Sequence, residues 1–121
     1  CKDGWFLQPT VITGLDSSCR VNQEEIFGPV VTVMPFESEE DAIRLAKGTS
    51  YGLSATIHTT HLQQAHRVAA ALEAGIVWIK DWLVRDLRTP FGGGKASGVG
   101  REGGYEALNF FTEAKNIFVA L

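Results

Sequence analysis

The amino-acid sequence predicts an α/β fold, strand-helix-strand-helix-strand, and three observations carry that expectation. Short β-branched apolar runs alternate with stretches whose apolar residues recur at helical spacing, and only a few residues separate them. Parallel strands joined by helical crossovers then follow, because such crossovers are almost always right-handed and lay the helices over the sheet. The balance of 45% hydrophobic and 21% charged residues, with thirteen glycines, is that of a turn-rich globular protein rather than a disordered chain.

The first strand is expected at residues 30–34, where Val30, Val31, Thr32, Val33 and Met34 run apolar up to Pro35 and read as buried. A helix should follow. Ser38 and Asp41, three apart, form a variant of the capping box, Ala42, Ile43, Leu45 and Ala46 supply an apolar stripe, and Gly48 suits a left-handed C′ position. Residues 55–57 give a second strand. Thr60 and Gln63 repeat the capping pattern, Leu62, Ala65, Val68, Ala69 and Leu72 recur at helical spacing, and Gly75 is expected to close that helix. Residues 76–79 are the third strand. Beyond them residues 81–97 read as loop, Gly92-Gly93-Gly94 as flexible, and residues 105–111 as a short helix. Residues 115–121 alternate like a strand but have no sequential partner, so the expected partner is a distant segment or another subunit.

At 121 residues a folded chain buries about 65% of the surface it exposes when unfolded, enough for one core. A net charge of −3 with scattered Lys and Arg offers no footprint for nucleic acid or anionic lipid. The apolar runs are too short to span a bilayer. The chain opens on Cys1-Lys2-Asp3-Gly4, with neither a signal peptide nor an initiator methionine, and is expected to be a piece of a longer protein. Two cysteines without C-x-x-C spacing suit a reducing, cytoplasmic setting. Neither Cys1 nor Cys19 has a histidine beside it in sequence, so no nucleophile, and no catalytic residue, is assigned.

Several motifs invite chemistry and fail on context. Gly98-Val99-Gly100-Arg101-Glu102-Gly103 matches the dinucleotide fingerprint by letter, but that turn follows a buried strand and opens a long helix. Lys95 after glycines suggests a phosphate loop, yet Ala96 stands where the magnesium-binding hydroxyl belongs. His58, His61 and His66 miss the i, i+4 face of a helical metal pair, and no metal is expected. Two places remain. In Glu24-Glu25-Ile26-Phe27-Gly28-Pro29-Val30 a carboxylate and a ring are held at a strand entrance, Gly28 supplying the turn and Pro29 the fixed φ. A carboxylate accepts hydrogen bonds from vicinal hydroxyls and a ring packs on a flat heterocycle; solvated charges and a core phenylalanine are the plainer alternative. Arg85 and Arg88, between Trp82 and Phe91, offer guanidinium groups able to fork onto a carboxylate, against a plain exposed Arg85–Asp86 neighbourhood.

Taken in order, the 24–30 block, Tyr51-Gly52-Leu53-Ser54-Ala55, and Pro90-Phe91-Gly92-Gly93-Gly94-Lys95-Ala96-Ser97-Gly98-Val99-Gly100-Arg101-Glu102 resemble the C-terminal part of the aldehyde dehydrogenase superfamily. The resemblance implies residues 1–110 of its catalytic domain and residues 111–121 as a terminal oligomerisation strand. It implies that Glu25 holds the nicotinamide-ribose hydroxyls of NAD or NADP and that Phe27 lies beside the nicotinamide ring. The stretch from Trp82 to Phe91 is similar to the 2-hydroxymuconic and 2-aminomuconic semialdehyde dehydrogenases, which implies that Arg85 grips a substrate carboxylate and Phe91 lines the aldehyde tunnel. Lys80-Asp81 departs from the Asn-Cys or Asn-Thr of relatives. In the family the nucleophilic cysteine, the oxyanion asparagine and the glutamate base lie upstream of the first block, which implies a homo-oligomeric enzyme of which this stretch alone is inactive. The rivals are a non-catalytic remnant or interaction module associating through its terminal strand, and a succinic- or betaine-type semialdehyde dehydrogenase.

Overall fold

A computed structural model describes residues 3–121; the expectation about Cys1 lies outside them. The chain divides into two compact units, Cys1–Ser50 and Tyr51–Leu121. Each contains helices and strands, as an α/β chain should.

The first unit contains β1 (Thr10–Thr13), α1 (Arg20–Gln23), β2 (Val30–Val33) and α2 (Glu39–Lys47). β1 and β2 are parallel, with Thr10 opposite Val30 and Thr13 opposite Val33. The sequence reading missed β1, a four-residue run whose signal is shorter than a typical strand. β2 is not the buried strand expected: Val31 and Val33 are half-exposed while Val30 and Thr32 turn inward, the alternation of a strand covered on one face. α2 begins as its sequence requires. The Asp41 amide donates to Ser38 Oγ at 3.1 Å, and the Asp41 carboxylate accepts from the Glu37 amide at 3.3 Å. Three acidic residues occupy the first turn, with Arg44 and Lys47 in the last, matching the helix dipole at both ends. Gly48 is not left-handed; its φ of −73° closes the helix through an amide bond to the Leu45 carbonyl.

The second unit contains β3 (Tyr51–Gly52), β4 (Ser54–Ile57), α3 (Leu62–Ala71), β5 (Ile76–Ile79), β6 (Gly94–Lys95) and α4 (Gly104–Phe111). β4 and β5 run parallel on either side of α3, and β3 pairs antiparallel with β6. In place of the single parallel sheet expected there are three two-stranded pairings, β1 with β2, β3 with β6 and β4 with β5. The N-cap of α3 is His61 rather than the expected Thr60, with no side-chain cap hydrogen bond; just before it Thr59 Oγ1 accepts from the His61 amide at 3.2 Å and donates to Gln64 Oε1 at 2.7 Å. Among the described residues Ala65 on α3 and Trp78 on β5 are the buried apolar side chains, whereas Leu62 remains 69% exposed. Gly75 does not end α3, whose C-cap is Leu72. A Cβ on Gly75 would lie 1.7 Å from the Gly92 carbonyl oxygen, so glycine is required there for two backbones to approach.

Large apolar side chains lie exposed in both units, Trp5 and Phe27 in the first and Tyr105 and Phe111 in the second. Residues 112–121 pair with no strand among the described residues, and Ile117, Phe118 and Val119 lie open. The strand expected at residues 115–121 does not form within the single chain, because a strand requires a ladder partner. No helix of the described residues is long and apolar enough to cross a membrane.

Candidate functional site

The first candidate corner lies between α1 and β2. Arg20 opens α1 and Glu24 caps it, so the i, i+4 spacing brings Arg20 Nε to 2.7 Å from Glu24 Oε2. That pairing separates the two adjacent carboxylates. Glu25 points to solvent, and its carboxylate meets no protein donor among the described residues. The chain bends at Gly28 and Pro29 as expected, the Val30 amide donating to the Gly28 carbonyl at 2.7 Å, and Phe27 just before it has a φ of 55° and a side chain 91% exposed. Left-handed backbone costs a bulky residue about 1–2 kcal/mol, so this ring is held in the open against local preference, and it is no part of a core. Such outliers gather at ligand sites. Gly28 and Pro29 then lead into β2. A hollow of about 320 Å³ is bounded by Val21, Glu25, Phe27, Gly28 and Thr32, among others. An exposed acceptor carboxylate beside a bare ring fits a diol and a flat heterocycle.

The second lies in the other unit, after β5. The chain leaves that strand through Lys80 and Leu83, both at φ 60°, and the indole N–H of Trp78 donates to the Val84 carbonyl at 2.8 Å. Arg85 follows, half-exposed. Its guanidinium carbon stands 4.3 Å from the Phe91 ring centroid, within cation–π range, and its Nη2 donates to Glu102 Oε1 at 2.7 Å. Trp82, expected to share that role, is 68% exposed. Arg88 is committed elsewhere, to both oxygens of Asp86. Those side-chain bonds and the Arg88 amide hold the Asp86 carboxyl below the ordinary aspartate range, and the pairing raises Arg88 in turn. Phe91 and Glu102 also border a cavity of about 410 Å³ with Gly93, Val99, Phe110 and Phe111. Arg85 is not among the lining residues but contacts two of them, Phe91 and Glu102.

The glycine-rich stretch is ordered rather than flexible. Arg101 Nη1 donates to the carbonyls of Gly93 and Gly100 at 2.8 and 2.6 Å, and Ser97 Oγ accepts from the Gly52 amide at 3.0 Å. Within the fingerprint-like run Gly103 is closely packed, since a Cβ there would lie 2.7 Å from the Thr89 carbonyl oxygen, whereas Gly98 and Gly100 face open space at positive φ. Lys95 pairs with Glu73 at 3.0 Å. His58 follows β4, His61 is the N-cap of α3 and His66 lies within it; no group of three metal-ligating side chains occurs among the described residues. Cys19 is the N-cap of α1, partly buried, in the unit without histidines. Glu102 and Trp78 carry no role from sequence. Glu102 ends the glycine-rich stretch 90–102, but a partner seventeen residues away has no local signature.

Comparison with known proteins gives a consistent answer. The model of the aldehyde dehydrogenase family matches residues 1–117. The chain is 56% identical over 118 residues to 2-hydroxymuconic semialdehyde dehydrogenase of Pseudomonas sp. strain CF600, covering 98% of this chain and 24% of that protein. It is 51% identical over 117 residues to human 2-aminomuconic semialdehyde dehydrogenase, covering 96% and 24%. Among solved structures, betaine aldehyde dehydrogenase from Staphylococcus aureus in complex with NAD+ superposes with a TM-score of 0.87 at 49% identity, over 91% of this chain and 22% of that one. The chain thus spans about a quarter of the length of these relatives.

Proposed function

The chain belongs to the aldehyde dehydrogenase family, and from that premise we propose that it forms the C-terminal portion of an enzyme oxidising a carboxylated semialdehyde to the acid with NAD or NADP. The observation that carries the reading is the division of labour at the first corner, where Glu24 and Glu25 are both exposed and border one hollow with Phe27, but among the described residues Glu24 is paired with Arg20 and Glu25 is not. Glu25 would accept hydrogen bonds from the nicotinamide-ribose hydroxyls, and Phe27 would lie against the nicotinamide ring. The cofactor, when bound, supplies the hydride acceptor. Everything else these residues do is positioning: a fixed ribose and a fixed ring plane hold the hydride acceptor in one orientation.

In the second unit Arg85 would bind the distal carboxylate of the substrate through charge-assisted hydrogen bonds, and Phe91 would form part of the tunnel wall. High identity to relatives named for muconic semialdehydes supports a semialdehyde substrate. The nucleophile, oxyanion donor and general base are proposed to come from outside these residues. Residues 111–121 would serve as the strand through which subunits of a homo-oligomer pair, which the open apolar side chains of Ile117, Phe118 and Val119 support. The experiment is an assay of cofactor reduction with a carboxylated semialdehyde. A full-length protein containing this chain should turn over and residues 1–121 alone should not; turnover by the isolated chain would contradict the reading.

A further inference from the structure

Arg85 already holds a carboxylate of its own chain, and the way it does so is specific. Phe91 and Glu102 exchange both backbone hydrogen bonds, at 2.8 and 2.7 Å, as opposed residues of an antiparallel bridge. Opposed residues send their side chains to the same face. From that face Phe91 lays its ring against the guanidinium at 4.3 Å, and Glu102 places Oε1 2.7 Å from Nη2. Behind them the Trp78 indole fixes the Val84 carbonyl, one residue before Arg85. The guanidinium is thus held on one face, at one nitrogen and through its backbone. Five N–H groups lie in a rigid plane, and those not used by Glu102 meet no protein acceptor among the described residues.

Resting on the Arg85 reading above, we propose that Glu102 is a positioning residue for substrate specificity: it pins one nitrogen of Arg85 so that the free edge of the guanidinium is presented to the substrate carboxylate. An unpinned arginine samples many rotamers and surrenders that freedom on binding, which weakens the grip. The second carboxylate also offsets the arginine charge, so the free edge suits a single carboxylate.

The test compares adipic semialdehyde with hexanal, the same chain without the carboxylate, in the full-length enzyme. Glu102→Ala should raise KM for adipic semialdehyde about tenfold relative to its effect on hexanal, with kcat changing by the same factor for both. Glu102→Gln, which keeps an acceptor at the same reach, should restore KM to within about threefold. Should the alanine variant not fold, Glu102→Asp carries the test: it keeps the charge but withdraws the oxygen by one methylene, and should raise KM for adipic semialdehyde alone. With Arg85→Ala in place, Glu102→Ala should add nothing to the loss of preference. If Arg85→Ala collapses the preference while Glu102→Ala and Glu102→Asp leave it intact or strengthen it, the inference is overturned and the Arg85 reading stands. If Arg85→Ala itself leaves the preference intact, both fall.

Discussion

The two candidate corners treat charge in opposite ways. In the first unit the structure spends one carboxylate, Glu24, on Arg20 and leaves its neighbour Glu25 open. In the second it stacks its cation, Arg85, on Phe91 and pairs it with Glu102. An open anion is ready for a neutral, hydroxyl-bearing ligand, because accepting hydrogen bonds displaces only water. A cation aimed at a carboxylate gains from being oriented beforehand, since orientation rather than charge is what a flexible arginine lacks. The contrast extends to the interior: among the described residues the buried apolar side chains, Ala65 and Trp78, both lie in the second unit, and Trp78 anchors the loop that carries Arg85.

The largest effect that can break this contrast is expected at Arg85. Arg85→Ala in the full-length enzyme should lower kcat/KM for adipic semialdehyde by about a hundredfold, the scale of a lost charge-assisted pair, and change that for hexanal by less than about threefold. Equal losses on both substrates would make Arg85 a packing residue. Smaller effects address how the units hold their loops. Ser38→Ala removes the cap of α2 and should cost about 1 kcal/mol in denaturant unfolding. Asp41, in the same cap, is held below the ordinary aspartate range first by the Arg44 side chain and then by the Glu37 amide. Its stabilisation is therefore complete above the unfolded value, near pH 4, and is lost as pH falls through the lower folded value. Asp41→Asn should flatten the acid limb of the stability profile and leave its neutral region parallel to the parent. The smallest effect concerns Lys80, a non-glycine residue at φ 60°. Asparagine tolerates that region better than lysine does, and Lys80→Asn should stabilise by about 0.5 kcal/mol in the same unfolding measurement.

What was legible in the sequence was local. The cap of α2 joins Ser38 and Asp41 three residues apart, and β5 is an unbroken apolar run, so both appear where expected. β1 was missed because four β-branched residues carry little periodic signal, and with it the parallel partner of β2. The turn at Gly28 and Pro29 was legible from residue preference, whereas the left-handed backbone of Phe27 beside it is a conformation that propensity argues against. The choice between Glu24 and Glu25 had a readable trace in Arg20, four residues earlier, but the pair means nothing until α1 is known to be a helix. The Arg85–Glu102 pair joins residues seventeen apart across β6 and could come only from the tertiary structure.

The central claim is that two adjacent glutamates have separate jobs, and cofactor affinity measures it directly. Binding of NAD, or of NADP if that is the form used, should be titrated in full-length Glu24→Gln and Glu25→Gln side by side. Glu25→Gln should weaken binding by about tenfold, the cost of replacing an ionic acceptor by a neutral one, while Glu24→Gln stays within about twofold of the parent. Equal losses, or a loss confined to Glu24→Gln, would contradict the account.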